Sequence, residues 1–190
     1  MKRIAALILS LCLLLTVTSA FAETATMTRT SLGDFSLELD PSALTLQAKA
    51  NNDIMAWYYP IAGDTTVNMN VVWSTDIMDL NSMTQDDIDE FAELLLSTIA
   101  SSLEALGVEI TESETYETAV GELDGVPTLL IAHGLTYDMT PLGLPAQVSL
   151  CQVEAILCLE SESYIITCTM PDQETFEQYL GPVLFSLQWN

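Results

Sequence analysis

Basic residues are almost missing from this chain of 190 residues, which has four lysines and arginines against 27 aspartates and glutamates. Two of the four, Lys2 and Arg3, lie at the very start, so residues 23–190 carry a formal net charge of −25. Because phosphate binding requires a cationic surface, nucleic acid and anionic lipid are poor partners. The charge does not indicate disorder, since 49% of the residues are hydrophobic and their pattern is regular.

The sequence also lacks the short motifs of common catalytic and nucleotide-binding sites. It contains no G-x-S-x-G, no phosphate-binding loop, no G-x-G-x-x-G and no H-E-x-x-H. The single histidine, His133, lies in the alternating segment LLIAHGLTY, where a lone histidine on an apolar strand face is typical of a core residue. These absences predict a non-enzymatic protein that needs no cofactor.

Long apolar runs are absent except at the N-terminus. There a basic start is followed by an apolar run over residues 4–17 and then by small residues at the positions that a signal peptidase reads. The predicted cleavage site consists of Ala20, Ala22 and Glu23. This pattern predicts a signal peptide over residues 1–22 and one domain over residues 23–190, secreted or held at the cell envelope, with no membrane insertion of the mature chain. An uncleaved membrane anchor over residues 4–22 is the alternative.

Cysteine is scarce, and outside the predicted signal it occurs only as Cys151, Cys158 and Cys168. Their spacing does not provide the close pairs typical of structural zinc sites. A hairpin that turns at Ser161–Glu162 would place Cys158 opposite Ile165 and Cys168 opposite Ala155, so it would not bring two thiols together. We therefore expect reduced thiols buried in a sheet, although a shifted register would allow one disulfide, and a catalytic Cys–His pair with the lone histidine has no geometric support.

Hydrophobic periodicity divides the chain into strands and helices. The segments FSLELD, AWYYPI and TTVNMNVVW read as strands, and the acidic segment VEITESETYETAV as an exposed hairpin or edge strand. A helical period begins after Thr84, with Asp87 completing a capping-box pattern, and stops at Gly107. Further strands follow, and a helical segment that Gly181-Pro182 should kink closes the chain. The pattern predicts an α+β fold in which a single antiparallel β-sheet is flanked by one long central helix and a C-terminal helix.

Four segments, in this order, resemble the PsbP/DcrB/Mog-like superfamily: FSLELDPSALTL, VNMNVVW before the long helix, GELDGVPTLLIAH, and YIITCTMPDQETFEQYLGPVLFSLQW. The resemblance covers most of residues 23–190. It implies a PsbP-like α/β/α sandwich and a non-catalytic, accessory role in binding a protein partner. It implies no catalytic residues.

Two regions are candidate contact surfaces for a partner or ligand. One is the acidic segment with Glu109, Glu112, Glu114 and Glu117; the other is the aromatic run Trp57, Tyr58 and Tyr59. Our first hypothesis is an accessory protein that binds a protein partner of unknown identity. The alternative is a protein that binds a small ligand or a divalent cation on its acidic face or around Trp57. The acidic start of the long helix reads as a solvated face, because it complements the helix dipole and forms no calcium-binding loop.

Overall fold

The computed structural model describes residues 27–43, 45–47, 56–61, 64–75, 78–105, 107–138, 140 and 147–190. The predicted signal peptide and its cleavage site lie outside the described residues.

Seven antiparallel strands form the main sheet, in the order β3-β4-β5-β9-β8-β7-β6. These strands are β3 (Thr45–Gln47), β4 (Ala56–Ile61), β5 (Asp64–Ser74), β6 (Glu109–Leu123), β7 (Val126–Asp138), β8 (Gln147–Cys158) and β9 (Ser163–Met170). The acidic strand β6 lies at one edge of the sheet. Of the two predictions for this segment, an exposed hairpin or an edge strand, the structure shows the edge strand. Charged side chains on such an edge discourage pairing with a second chain.

A second, three-stranded sheet corrects the prediction of a single sheet. Its strands are β1 (Thr28–Ser31), β2 (Phe35–Leu39) and β10 (Gln188–Trp189), in the order β1-β2-β10. Strand β2 therefore pairs with segments near the two ends of the described chain. Those segments are four and two residues long, too short for hydrophobic alternation to reveal them. The Arg29 guanidinium stabilises this sheet. It donates hydrogen bonds to the carbonyl oxygen of Ser186 at 3.0 Å and to the carboxylate of Glu38 at 3.1 Å.

The long helix (Gln85–Glu104) covers one face of the main sheet, which we call the helix face. It begins as predicted, because the Thr84 hydroxyl accepts a hydrogen bond from the backbone N–H of Asp87 while the Asp87 carboxylate accepts one from the Thr84 N–H. It ends before Gly107, whose φ of +82° suits glycine. Its buried stripe consists of Ile88, Ala92, Leu95, Leu96, Ile99 and Leu103.

The other face of the main sheet, which we call the opposite face, packs against β2 and the C-terminal helix. That helix consists of one α-helical turn (Gln173–Thr175), a π-helical segment (Phe176–Leu180) and a last α-helical turn (Gly181–Leu184). The change of pattern lies at the predicted Gly181-Pro182 break, where Pro182 has no N–H to continue the helix. Strand β2 contributes Phe35, whose ring packs edge-on against Tyr164 and Trp189.

Two hairpins set the register of the strands that matter for function. Asp124 and Gly125, with φ of +50° and +79°, form the tight turn between β6 and β7. In the β8–β9 hairpin Cys158 pairs with Ser163 and Cys168 with Val153. The turn is therefore centred on Glu160–Ser161, one residue earlier than predicted, and the predicted partners Ile165 and Ala155 are wrong.

Candidate functional site

Among the described residues, the cover on the opposite face stops partway across the main sheet. Ile166 of β9 and Ala155 of β8 have no exposed surface. Nearer the β6 edge, apolar side chains are only half-buried: Leu130 and Ala132 of β7, and Cys151 and Val153 of β8. These four residues, with Tyr116 of β6, form what we call the open face. It is the part of the sheet where an apolar surface meets solvent beside an edge strand.

Tyr116 lies over Gly134 on the open face. It occupies an irregularity of β6 between Thr115 and Glu117, and 58% of its surface is exposed. Its ring covers Gly134 so closely that a Cβ there would lie 2.0 Å from the tyrosine hydroxyl. The pair therefore needs glycine at 134, and Tyr116 provides an exposed aromatic side chain held against the sheet.

The four predicted glutamates line one side of this surface. Glu109, Glu112, Glu114 and Glu117 pair with Asp138, Thr136, Gly134 and Ala132 of β7, respectively. These partners alternate along β7, so all four glutamates project from the same side of the sheet as the open face. All four are exposed. Their uneven spacing in sequence hides this arrangement, because two irregularities of β6, one before Glu112 and one before Glu117, restore the phase.

Negative charge also lies on the far side of the open face. Burial raises the pKa of the Cys151 thiol, and the negative charge of Asp172, next to the C-terminal helix, raises it further. Hydrogen bonds from Thr175 lower the pKa of Asp172 itself, so this carboxylate is ionised at neutral pH. Among the described residues the ion pair is Arg29–Glu38, on the second sheet. Among the described residues, no lysine or arginine therefore pairs with the carboxylates that border the open face.

The aromatic candidates lie far from the acidic ones. Trp57, Tyr58 and Tyr59 belong to β4, which is separated from β6 by four strands of the sheet. Tyr58 pairs with Asn70, and the other two pair with Val71 and Met69. The side chains of these three residues lie outside what the structure describes. The two candidate surfaces are therefore separate regions and not one site.

A buried polar cluster on the helix face was not expected from the sequence. Two rows of paired residues cross the strands there. The first row is Asn68, Thr169, Gln152 and His133, and the second is Asn70, Thr167 and Glu154. Every member is buried. The alternation of polar and apolar residues is visible in the sequence. That alternation does not reveal that both faces of the main sheet are covered at these positions.

Within the first row, hydrogen bonds connect His133, Gln152 and Thr169. His133 Nε2 lies 3.1 Å from Gln152 Oε1, and Gln152 Nε2 donates to Thr169 Oγ1 at 3.0 Å. Because the amide oxygen accepts, Nε2 carries the histidine proton. Burial lowers the pKa of His133, with the Gln152 hydrogen bond acting in the other direction. The imidazole is therefore a neutral core residue, as the sequence predicted.

Glu154 in the second row is in an unusual environment. Only 1% of its surface is exposed, and neither carboxylate oxygen has a hydrogen-bond partner. Burial alone raises its pKa to about 7. Asn70 Oδ1, in the same row, is also buried without a partner, while the Asn70 amide donates to Asn68 at 3.0 Å. Unpaired buried acceptors are rare in folded proteins, so this row requires a physical explanation.

The three thiols are free and are divided between the two faces. Cys158 is buried on the helix face, Cys168 is buried on the opposite face, and Cys151 is half-buried on the open face. Burial raises the pKa of Cys158 to about 11 and that of Cys168 to about 12. These thiols are therefore poor nucleophiles at neutral pH.

The acidic start of the long helix is a solvated surface in the structure, as predicted. Its carboxylates Asp86, Asp87, Asp89, Glu90 and Glu93 are exposed. Hydrogen bonds from Thr84 lower the pKa of Asp87, as expected for a capping residue. Within the described residues, no three histidine, cysteine or carboxylate side chains are grouped so as to hold a metal ion.

Comparison with known proteins shows similarity in fold. No protein-family model matches the sequence, and no curated protein matches it. The solution structure of cyanobacterial PsbP (CyanoP) from Synechocystis sp. PCC 6803 superposes with a TM-score of 0.59 at 11% identity, covering 92% of this chain and 98% of that one. The Saccharomyces cerevisiae Ran-binding protein Mog1p gives a TM-score of 0.49 at 10% identity, covering 87% and 96%.

The chain therefore has the PsbP-like fold, and the resemblance seen in the sequence is confirmed at the level of the fold. At 11% identity the likeness transfers no partner and no site residue. None of the helices in the described part of the chain is long and apolar enough to span a membrane.

Proposed function

We propose that this is a non-enzymatic accessory protein, secreted or held at the cell envelope, that binds a protein partner through the open face. The observation that carries the proposal is the half-buried apolar surface, with the exposed Tyr116 on it, beside four glutamates that share its side of the sheet. Exposed apolar surface bordered by polar residues marks interaction sites. The N-terminal signal pattern supports the location.

The charge of the margins defines the kind of partner. Glutamates line one side of the open face and Asp172 lies near the other. A segment with an apolar contact flanked by lysine or arginine would match both features. Such complementarity mainly raises the association rate and the specificity, and it weakens with salt.

A non-catalytic role agrees with the chemistry of the reactive side chains. His133 is buried, neutral and hydrogen-bonded to Gln152. The pKa of each of the three thiols is raised, chiefly by burial. A Cys–His pair requires a lowered thiol pKa and an accessible base, and these residues provide neither.

Site-specific photo-cross-linking in the producing cell tests the proposal. A cross-linker at position 132 or 153 on the open face should give a discrete protein adduct, whereas one at position 90 on the exposed side of the long helix should not. Replacing Glu109, Glu112, Glu114 and Glu117 together by glutamine should remove the adduct without lowering the melting temperature. Equal cross-linking at positions 132 and 90, or an adduct insensitive to the four substitutions, would contradict the proposal.

The alternative, binding of a divalent cation, is distinguished by thermal melting. A diffuse interaction with the acidic surface should raise the melting temperature gradually, with calcium and magnesium equivalent at matched ionic strength. A specific site would give a saturating rise selective for one ion. We expect the gradual response, because no loop in the sequence gathers several oxygen ligands.

A further inference from the structure

The second polar row on the helix face has more hydrogen-bond acceptors than donors. Glu154 pairs with Thr167, and Thr167 pairs with Asn70, so the three side chains are neighbours on one side of the sheet. Both Glu154 oxygens and Asn70 Oδ1 are buried without partners. The Asn70 amide group is directed to Asn68. If Glu154 is ionised, the donors left within the row are the Thr167 hydroxyl and the second N–H of the Asn70 amide, and neither is bonded to a Glu154 oxygen.

One proton reduces this imbalance. A neutral Glu154 carries no charge, and its O–H adds one donor to a row in which Glu154 pairs with Thr167 and Thr167 pairs with Asn70. We propose that Glu154 is a proton-binding site inside the sheet, neutral in the folded protein, and that loss of its proton leaves an uncompensated charge buried among β8, β9 and β5.

The surroundings of Glu154 favour the neutral form. The helix-face titratable groups with described side chains are His133 and Tyr137 on β7 and Cys158 on β8. Strand β9 contributes Thr167, Thr169, Ser163 and Ile165 on this side, and β5 contributes Asn68, Asn70, Val72 and Ser74; none of these carries a charge. The stripe of the long helix that faces the sheet is apolar, and its carboxylates are exposed. No described cation compensates an ionised Glu154.

The site reports pH in a definite direction. The pKa of Glu154 is about 7 in the folded protein against 4.5 for an ordinary glutamate. The folded state therefore holds a proton that the unfolded state releases, so the stabilisation is fully present below pH 4.5. It is lost as the pH rises, and the loss is complete above about pH 7. His133 acts in the opposite direction, because its lowered pKa makes the folded state less stable as the pH falls.

Comparing wild type with Glu154→Gln isolates the site, since His133 is present in both proteins. Glutamine keeps the shape and a donor without ionising. Relative to wild type, the folding equilibrium constant of E154Q should rise by a factor on the order of 100 between pH 5 and pH 8. The matched control is Glu160→Gln, an exposed glutamate in the adjoining β8–β9 turn, whose ratio to wild type should stay nearly constant with pH.

Infrared spectroscopy gives a readout that does not depend on stability. At pH 6 the native wild-type protein should show the carbonyl stretch of a protonated carboxyl group in an apolar environment, and E154Q should lack it. A pH-independent ratio of E154Q to wild type, or the same carboxyl band in E154Q, would overturn the proposal. So would a saturating stabilisation at pH 8 by sodium, potassium or calcium that is lost in E154Q, because a cation and not a proton would then occupy the row.

Discussion

The central strands of the main sheet carry opposite chemistries on their two faces. On the helix face, one row reads Asn70, Thr167 and Glu154; on the opposite face, the adjacent row reads Val71, Ile166 and Ala155. All six residues are buried. The apolar row is stabilised by removal of hydrocarbon from water, which requires only close packing. The polar row loses stability with each buried donor, acceptor or charge that lacks a partner, so it is the part of the core that responds to pH.

The largest expected effect is the difference in the reaction rate of the buried thiols between the folded and the unfolded protein. Cys168 and Cys158, one on each covered face, should react in native buffer at least about 10³-fold more slowly than in denaturant, because opening must precede reaction. Cys151 on the open face should react first. Titration of the chain over residues 23–190 should give at most one thiol per chain in buffer and three in denaturant, and Cys151→Ser should abolish the early phase. Early modification of Cys168 would show that the opposite face is not closed.

Phe35→Ala should be the most destabilising single change on the opposite face. The Phe35 side chain is fully buried, and its ring connects the second sheet to the main sheet by packing against Tyr164 of β9. The loss should be about 3–5 kcal/mol in the free energy of unfolding. The matched control is Phe185→Ala, at a phenylalanine that is 60% exposed, and chemical denaturation of both variants measures the difference. Similar decreases in the free energy of unfolding for the two variants would mean that β2 does not cover this face of the main sheet.

Gln152→Leu tests the hydrogen-bonded row of the helix face. Leucine fills a similar volume but leaves His133 Nε2 and Thr169 Oγ1 without their partner. The expected loss is about 1–3 kcal/mol, the cost of stranding buried polar groups. Gln147→Leu, at the exposed start of the same strand, is the control and should change stability little. Stabilisation by Gln152→Leu would show that the row behaves as an ordinary apolar core.

Sequence patterns predicted the elements better than they predicted their surroundings. The capping box at Thr84 and the turn at Asp124-Gly125 rest on contacts between residues close in sequence, so local rules predict them. The charged residues of β6 indicated its edge position. The second sheet joins segments from both ends of the described chain, and no local rule does that. The predicted β8–β9 register was wrong by one position of the turn, because Ser161–Glu162 and Glu160–Ser161 are equally polar centres.

The candidate sites show the same limit. The four glutamates were found as a group, but their common side of the sheet depends on two irregularities of β6 that the sequence does not mark. Glu154 was missed because a glutamate that alternates with Val153 and Ala155 reads as the exposed side of a strand. The fact that a helix and further chain cover that side is a tertiary property. The signal that was available is the density of polar residues in NMN, CQVE and ITCT, which lie on adjacent strands.

Thr84→Ala should give the smallest effect, and it tests the cover of the polar face. The Thr84 side chain accepts from the Asp87 N–H at 3.3 Å and donates to the Asp87 carboxylate at 2.7 Å. Losing the cap should cost about 1 kcal/mol and should loosen the first turn of the long helix. Gln85 in that turn donates to Thr118 of β6 at 2.9 Å, so the loosening reaches the sheet.

The two faces should respond differently to this variant. Because the long helix packs on the helix face beside β6, hydrogen exchange should accelerate at the start of the helix and in the adjoining part of β6, while amides of β2 and the C-terminal helix keep their protection. Thr84→Ser retains the hydroxyl and should behave as wild type. If Thr84→Ala accelerates exchange equally around both faces, the long helix and the cover of the opposite face open as one unit. The two faces would then differ in the polarity of their buried residues but not in their rate of opening.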